Sequence, residues 1–131
     1  MKYRYKTPEE AIISLENAYS NKDFEAVVAS KDFETEAIFM LEQATYAYDL
    51  TDKKLVQETA ELLKVSLIKS LEENGFPSFE NVEREFSDLQ KYRDNIYILN
   101  EKIIYSDNTF YVNKIYVINL EHEWKVVTIE E

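Results

Sequence analysis

The chain has 131 residues, no cysteine and a formal net charge of −11, from 26 acidic and 15 basic side chains. Hydrophobic residues make up 45% of it, which excludes a disordered chain and suits a single domain over residues 1–131. The negative charge disfavours nucleic acid and anionic membranes as partners and favours a basic protein. Without cysteine, a membrane-length apolar run or a signal peptide at Met1–Tyr5, the expected location is the cytoplasm.

Four helices are predicted in the first 75 residues, at about 8–20, 23–29, 32–49 and 52–74. The first begins at Thr7-Pro8-Glu9-Glu10, where a capping threonine, a proline and a glutamate form a capping box. Asp23 and Asp32 are the expected caps of the next two helices. The fourth ends at Gly75, the only glycine, where a left-handed residue closes a Schellman-type stop.

Antiparallel strands are predicted in the last third of the chain, which is dense in β-branched and aromatic residues. Turn signals lie at Ser106–Thr109 and at Glu121-His122. The segment 79–92 fits a helical stripe or an edge strand, and we predict a strand because a helix would leave only three strands. The predicted strands cover about residues 82–90, 95–105, 110–120 and 124–130.

The first hairpin of this sheet has a predicted register. If Asp107-Asn108 is a two-residue turn, Leu99 pairs with Tyr116 and Glu101 pairs with Lys114, an opposite-charge pair. Both faces of the sheet then carry apolar side chains. We expect the helices to cover one face and a second copy of the chain to cover the other, which predicts a homodimer through the sheet.

The order of elements, helices first and then a meander ending in Trp124–Val127, resembles the nuclear transport factor 2-like superfamily of cystatin-like α+β cones. Thr7–Tyr19, Asn21–Val27 and Ser30–Phe33 are similar to small bacterial toxin-immunity proteins of this fold. The resemblance implies helices packed on one face of a curved antiparallel sheet, and a protein that neutralises a cationic toxin. Two consecutive long helices depart from the helix–hairpin–helix order common in the superfamily.

The sequence names no reaction. His122, the only histidine, lies between two glutamates in a predicted turn, so we interpret it as a solvated residue. One histidine and one glycine leave no metal site and no phosphate loop, so no catalytic residue, metal or cofactor is predicted. Aromatic residues could orient a small ligand in the cone or simply pack at the edge of the core. The pocket candidates are Tyr19, Tyr46, Tyr48, Tyr97, Tyr116 and Trp124, and the interface candidates are Asp107, Glu121 and Glu123.

Two functions remain from the sequence. The first is an acidic immunity protein that occludes a cationic toxin by charge complementarity. The alternative is a small-ligand-binding cone or an isomerase- or cyclase-type enzyme. The lack of a recognisable acid–base pair favours the first, whereas an enclosed pocket with a buried carboxylate would favour the second.

Overall fold

A computed structural model describes residues 3–44 and 48–129. The helices are α1 (Pro8–Ser20), α2 (Phe24–Ala29), α3 (Phe33–Glu42) and α4 (Lys53–Asn74). The strands are β1 (Glu83–Phe86), β2 (Gln90–Arg93), β3 (Ile96–Ile104), β4 (Phe110–Leu120) and β5 (Glu123–Val127). The predicted α+β class, with four helices followed by a curled antiparallel sheet, is confirmed. Within the described ranges, no helix is long and apolar enough to cross a membrane.

The helix starts follow from their capping residues. The Thr7 hydroxyl accepts a hydrogen bond from the Glu10 N–H at 3.0 Å, and the Glu10 carboxylate accepts one from the Thr7 N–H. Asp23 and Asp32 cap α2 and α3 as predicted. The prediction that α3 extends to residue 49 is wrong, because the helix ends at Glu42. Asp49 accepts bonds from the Thr51 N–H and hydroxyl, a local turn that competes with a continued helix.

Helix α4 ends at the predicted glycine, but in a different backbone conformation. Gly75 has φ 85° and ψ 173°, an extended conformation with positive φ that only glycine adopts readily, instead of the left-handed one. Its N–H bonds to the Leu71 carbonyl at 3.0 Å. Phe76 then packs on the core, with its ring 4.9 Å from that of Phe24. The stop is therefore a glycine-dependent turn into the core.

The strand order is β1-β3-β4-β5, with β2 also paired to β3, and every strand pair is antiparallel. The single strand predicted at 82–90 is therefore wrong, since β1 and β2 pair with β3 one after the other. The break lies at Ser87, whose hydroxyl accepts a bond from the Asn100 N–H at 2.8 Å. A side chain thus takes the place of a backbone acceptor, and the chain loops out before it pairs again.

The predicted register of β3 and β4 is wrong by one residue. Leu99 pairs with Ile115 and Glu101 pairs with Asn113. The turn has three residues between Tyr105 and Thr109, and it closes through Asn108, whose φ of 70° is one that asparagine tolerates. Because neighbouring residues of a strand point to opposite faces, this shift decides which side chains meet across the sheet.

The core is built mainly between α1 and one face of the sheet. Side chains from α1, α2, α4 and the sheet form the largest cluster, which includes Ala11, Ile12, Leu15, Val27, Leu71, Leu99, Val117 and Val126. Phe39 of α3 packs with the alternating residues Tyr116 and Ile118 in a second cluster. The end of the sheet beyond these clusters keeps Phe110, Tyr111 and Val112 exposed. The predicted homodimer through the sheet stays a prediction.

Candidate functional site

A cavity of about 270 Å³ lies between α1, the sheet and the chain that follows β5. We call it the α1 cavity. Helix α1 contributes Leu15, Glu16 and Tyr19, and the sheet contributes Glu101 and Ile103. Other apolar walls come from Ile12, Phe79, Ile115 and Ile129. It is thus a mostly apolar space with a few polar groups, the usual composition of a ligand pocket.

Three charged side chains meet at this cavity. The Arg84 Nε lies 2.6 Å from Glu16 Oε1 and 3.6 Å from Glu101 Oε2. Glu101 is only 1% exposed, Glu16 is also buried, and Arg84 is largely covered. Glu16 comes from α1, Arg84 from β1 and Glu101 from β3. Arg84 pairs with Ile103, which is two residues from Glu101 and therefore on the same face of the sheet. Two carboxylates therefore share one guanidinium, and we call these residues the Glu16–Arg84–Glu101 triad.

The triad leaves hydrogen-bonding capacity unused. For an ionised Glu101, both of its carboxylate oxygens are buried without a hydrogen-bond partner within the described ranges, as are the Arg84 Nη2 and the Tyr116 hydroxyl. Buried polar atoms in folded proteins are nearly always paired, because an unpaired one keeps its full desolvation cost. The Tyr116 side chain lies on the opposite face of the sheet, so the Glu101 and Arg84 atoms are the group that marks a candidate functional site.

The environment of Glu101 favours its neutral form. Burial, and after it the hydrogen bond and the charge of the neighbouring Glu16, raise the pKa of Glu101 to about 9, although Arg84 lowers it. At neutral pH Glu101 is therefore protonated, and Glu16 is the acceptor for that proton. The triad then carries no net charge: one carboxylate, one guanidinium and one carboxylic acid.

This arrangement can bind a hydrogen-bonding group or a cation, and it can exchange a proton. It is a poor acid–base pair for catalysis, because Glu16 is held at 2.6 Å by Arg84 and is not available as a base. The described part of the chain also contains no cluster of three His, Cys, Asp or Glu that could hold a metal ion.

A second buried carboxylate borders a different cleft, of about 370 Å³, between α3 and α4. Glu36 lies 3.2 Å from the Lys31 ammonium and accepts a hydrogen bond from the Thr128 N–H at 3.1 Å. Lys31 also donates to the Thr128 hydroxyl at 2.9 Å. Burial raises the pKa of Glu36, opposed by Lys31 and by the Thr128 N–H. This carboxylate has partners, so it is explained as part of the fold.

Residues 110–115 of β4 pair with β3 on one side, and among the described residues no strand pairs with their other side; we call this stretch the β4 open edge. Strand β5 pairs with β4 only from Tyr116 onward. That pairing ends at Val127, and the next N–H, that of Thr128, bonds to Glu36. On this edge Phe110, Tyr111 and Val112 are 56%, 64% and 58% exposed. An exposed apolar edge of this kind is a template for another strand.

The structure brings together only part of the predicted pocket. Tyr19 and Tyr116 line the α1 cavity, and burial raises the pKa of Tyr19. Tyr97 instead stacks on Trp124, with ring centroids 5.4 Å apart, so both are packing residues of the core. Tyr48 is exposed and does not line the cavity. Tyr46 lies outside the described residues.

The predicted interface acids do not form one patch. Asp107 lies in the turn before β4, and Glu121 and Glu123 lie in and beside the turn after it. With 11 residues in β4, these ends are roughly 35 Å apart at about 3.3 Å per residue. His122 is exposed in that second turn, as the sequence indicates.

The triad was missed at the level of sequence. Each member stands at a position where periodicity demands an apolar residue: Glu16 follows Ile12 by one helical turn, and Glu101 alternates with Leu99 and Ile103. A charged residue on a buried stripe is therefore the signal that could have found them. The partner Arg84 could not be assigned, because its strand was predicted with the wrong extent.

Comparison with solved structures finds similarity to a protein from Campylobacter jejuni described as an NTF2-like transpeptidase. The two share 10% sequence identity with a TM-score of 0.47, over 93% of this chain and 98% of that chain. This likeness concerns the fold alone. No protein-family model and no curated protein gives a significant match to the chain.

Proposed function

We propose that this protein is a binding protein for a basic protein partner, and that it acts as a cytoplasmic immunity protein that neutralises a cationic toxin. The β4 open edge carries this proposal. Within the described part of the chain no strand pairs with this side of β4, and three consecutive apolar side chains there, Phe110, Tyr111 and Val112, are exposed. An extended segment of a partner can add there as a further strand, with backbone bonds giving affinity and side chains giving specificity.

Charge supports a basic partner. The domain carries −11, and Glu83 and Glu85 of β1 are exposed on the same sheet, two strands from the open edge. The field of such a domain accelerates the encounter with a cationic protein and is screened by salt beyond about 8–10 Å. The interaction should thus combine a steered approach with strand pairing.

The test asks first whether a gene beside this one encodes a cationic protein, and uses that protein as the probe, with stopped-flow mixing over a range of salt. We expect the association rate to fall by about tenfold or more from low to high ionic strength, with a smaller change in dissociation. Tyr111→Lys should weaken binding, because it places a charge on the open edge. Leu62→Lys is the matched control, since Leu62 is similarly exposed, at 68%, but lies on α4.

A rate that is flat with salt, or equal loss of binding in both variants, would reject the proposal. The predicted homodimer, through the sheet face that the helices leave uncovered, is a separate proposal. Sedimentation at the monomer mass of 15.5 kDa at high micromolar concentration would remove the homodimer and leave toxin binding intact.

A second candidate is a small-ligand-binding cone or an isomerase- or cyclase-type enzyme. The observation that favours it is the buried Glu101 carboxyl at the α1 cavity. It is the weaker candidate because Glu16 is already paired with Arg84. Turnover of a small substrate that a folded Tyr19→Phe variant loses would make it the better one.

A further inference from the structure

We propose that the α1 cavity is a receptor for an alkyl cation, an ammonium or guanidinium group on an apolar stem, which Glu101 binds at the cavity wall. Where the cation is a lysine or arginine side chain of the basic partner, this inference rests on the proposed function. Where it is a free small molecule, it does not.

The charges of the triad define the class of ligand. Glu16 and Glu101 are two carboxylates, and Arg84 is the one cation within ion-pair distance of them among the described residues. Arg84 is closer to Glu16 by 1.0 Å, and once Glu101 is ionised neither of its oxygens has a hydrogen-bond partner among the described residues. One more cation, with N–H donors, would take the place of the proton and satisfy both oxygens. Glu36 shows the completed form, because Lys31 and the Thr128 N–H bond to it.

The walls of the cavity fit the stem of such a ligand. Leu15, Ile103 and Ile115 offer apolar surface beside the carboxyl group, and Tyr19 adds an aromatic ring. Apolar walls stabilise methylene groups, as they do for the stems of lysine and arginine. Lys114 also borders the cavity, but its ammonium lies 5.3 Å from the ring centroid of Tyr116. Lys114 and Tyr116 belong to the face of the sheet opposite the one that carries Glu101.

The cavity and the β4 open edge are continuous. Asn113, Lys114 and Ile115 belong to the edge and also line the cavity. A strand that pairs with this edge points every second side chain to the face where Glu101 lies. An extended partner segment with one basic residue could thus pair its backbone with β4 and place that residue in the cavity.

Binding must move a proton. Glu101 is protonated at neutral pH, so the ion pair forms as the carboxylic acid gives its proton to the buffer and the ligand cation takes its place. Up to one proton is released per cation bound, and affinity rises with pH until the acid is fully ionised. The other titratable or charged groups at the cavity are Glu16 and Tyr19 of α1, Arg84 of β1 and Lys114 of β4.

The experiment is titration calorimetry with three probes: butylguanidinium, butylammonium and neutral butylurea, in phosphate and in Tris buffer. We expect the cations, but not the urea, to bind with dissociation constants on the order of millimolar, and the heat to differ between buffers by the proton released. A short extended peptide with a central arginine, against its citrulline counterpart, separates the sources. Tighter binding of the arginine peptide than of butylguanidinium indicates a protein side chain, and the reverse order indicates a small molecule.

The variants place the binding at Glu101. Glu101→Gln imitates the protonated acid, and it should weaken cation binding by about tenfold or more and abolish proton release. Glu36→Gln is the matched control and should leave both unchanged. Equal binding of butylurea and butylguanidinium to the native protein, or no binding by about 10 mM, would overturn the inference without any variant. Toxin binding lost in Tyr111→Lys but kept in Glu101→Gln would overturn it for a partner side chain and retain the proposed function.

Discussion

Two buried glutamates in this protein, Glu36 and Glu101, have similar burial and opposite environments. They are 8% and 1% exposed, and each lies near a cation. Glu36 is bonded by Lys31 and by the Thr128 N–H, whereas Glu101 shares Arg84 with Glu16 and, when ionised, has no hydrogen bond among the described residues. Burial is thus common to a structural carboxylate and a candidate site. Unused hydrogen-bonding capacity is what separates them.

The two sites are also linked through the end of β5. The pairing of β5 with β4 ends at Val127, next to the bond from the Thr128 N–H to Glu36, and no described strand pairs with that side of residues 110–115. The α1 cavity lies beside this stretch, with Thr128 and Ile129 in its wall. Glu36 therefore holds one wall of the cavity, and Glu101 lies on another.

The largest expected effect compares the two cations. Arg84→Met leaves Glu16 and Glu101 buried together without a counterion, so the free energy of unfolding should fall by about 3–5 kcal/mol. Lys31→Met should cost about half as much, because the Thr128 N–H still bonds to Glu36. Urea denaturation at neutral pH measures both. Equal losses would mean that the two sites do not differ in the way their hydrogen bonds indicate.

Local signals predicted the local features of this fold. The N-caps could be assigned because a cap depends on residues three positions apart; they are Thr7, Asp23 and Asp32. The end of α4 could be assigned to Gly75 because only glycine readily adopts a backbone with positive φ. The β3–β4 register was predicted wrongly, since it depends on the turn: a two-residue type I′ turn needs a positive φ at both Asp107 and Asn108, and only Asn108 has one. A two-residue and a three-residue turn are equally compatible with that sequence, and they differ by one residue in every pair.

The candidate site was predictable only in part. Tyr19 and Tyr116 line the cavity as proposed, but Tyr97 and Trp124 pack on each other, because the true register places Tyr97 and Tyr116 on opposite faces. Glu101 was passed over because an acidic residue in a strand usually faces water. Its burial follows from α1 covering that face, which is a tertiary effect that no local pattern contains.

The second prediction concerns pH. Because folding raises the pKa of Glu101 from 4.5 to about 9, its contribution to stability is fully present below pH 4.5 and is lost as pH rises toward 9. The free energy of unfolding should therefore fall by on the order of 2 kcal/mol in total between pH 5 and 8. This total respects the limit, because one group can change the free energy by at most about 1.4 kcal/mol for each pH unit. Glu101→Gln should flatten this decline and be more stable than the native protein at pH 8.

The control for the pH experiment is Glu36→Gln. Burial also raises the pKa of Glu36, so its contribution has the same sign, but Lys31 and Thr128 oppose the shift. The variant should therefore keep most of the native decline with pH. A native stability that is flat between pH 5 and 8, or a Glu101→Gln variant with an unchanged slope, would show that Glu101 is ionised in the folded protein.

The smallest effect compares two tyrosine hydroxyls, one unsatisfied at the α1 cavity and one satisfied elsewhere. The Tyr116 hydroxyl is buried without a partner among the described residues. Tyr116→Phe should therefore be neutral, or should stabilise the protein by a few tenths of a kcal/mol. Tyr5 donates to the Ser30 hydroxyl at 2.9 Å, because Ser30 itself donates to the Ala26 carbonyl. Tyr5→Phe should therefore cost about 1 kcal/mol in urea denaturation. If Tyr116→Phe costs as much, a bound water or ligand satisfies its hydroxyl, and the cavity is already occupied in solution.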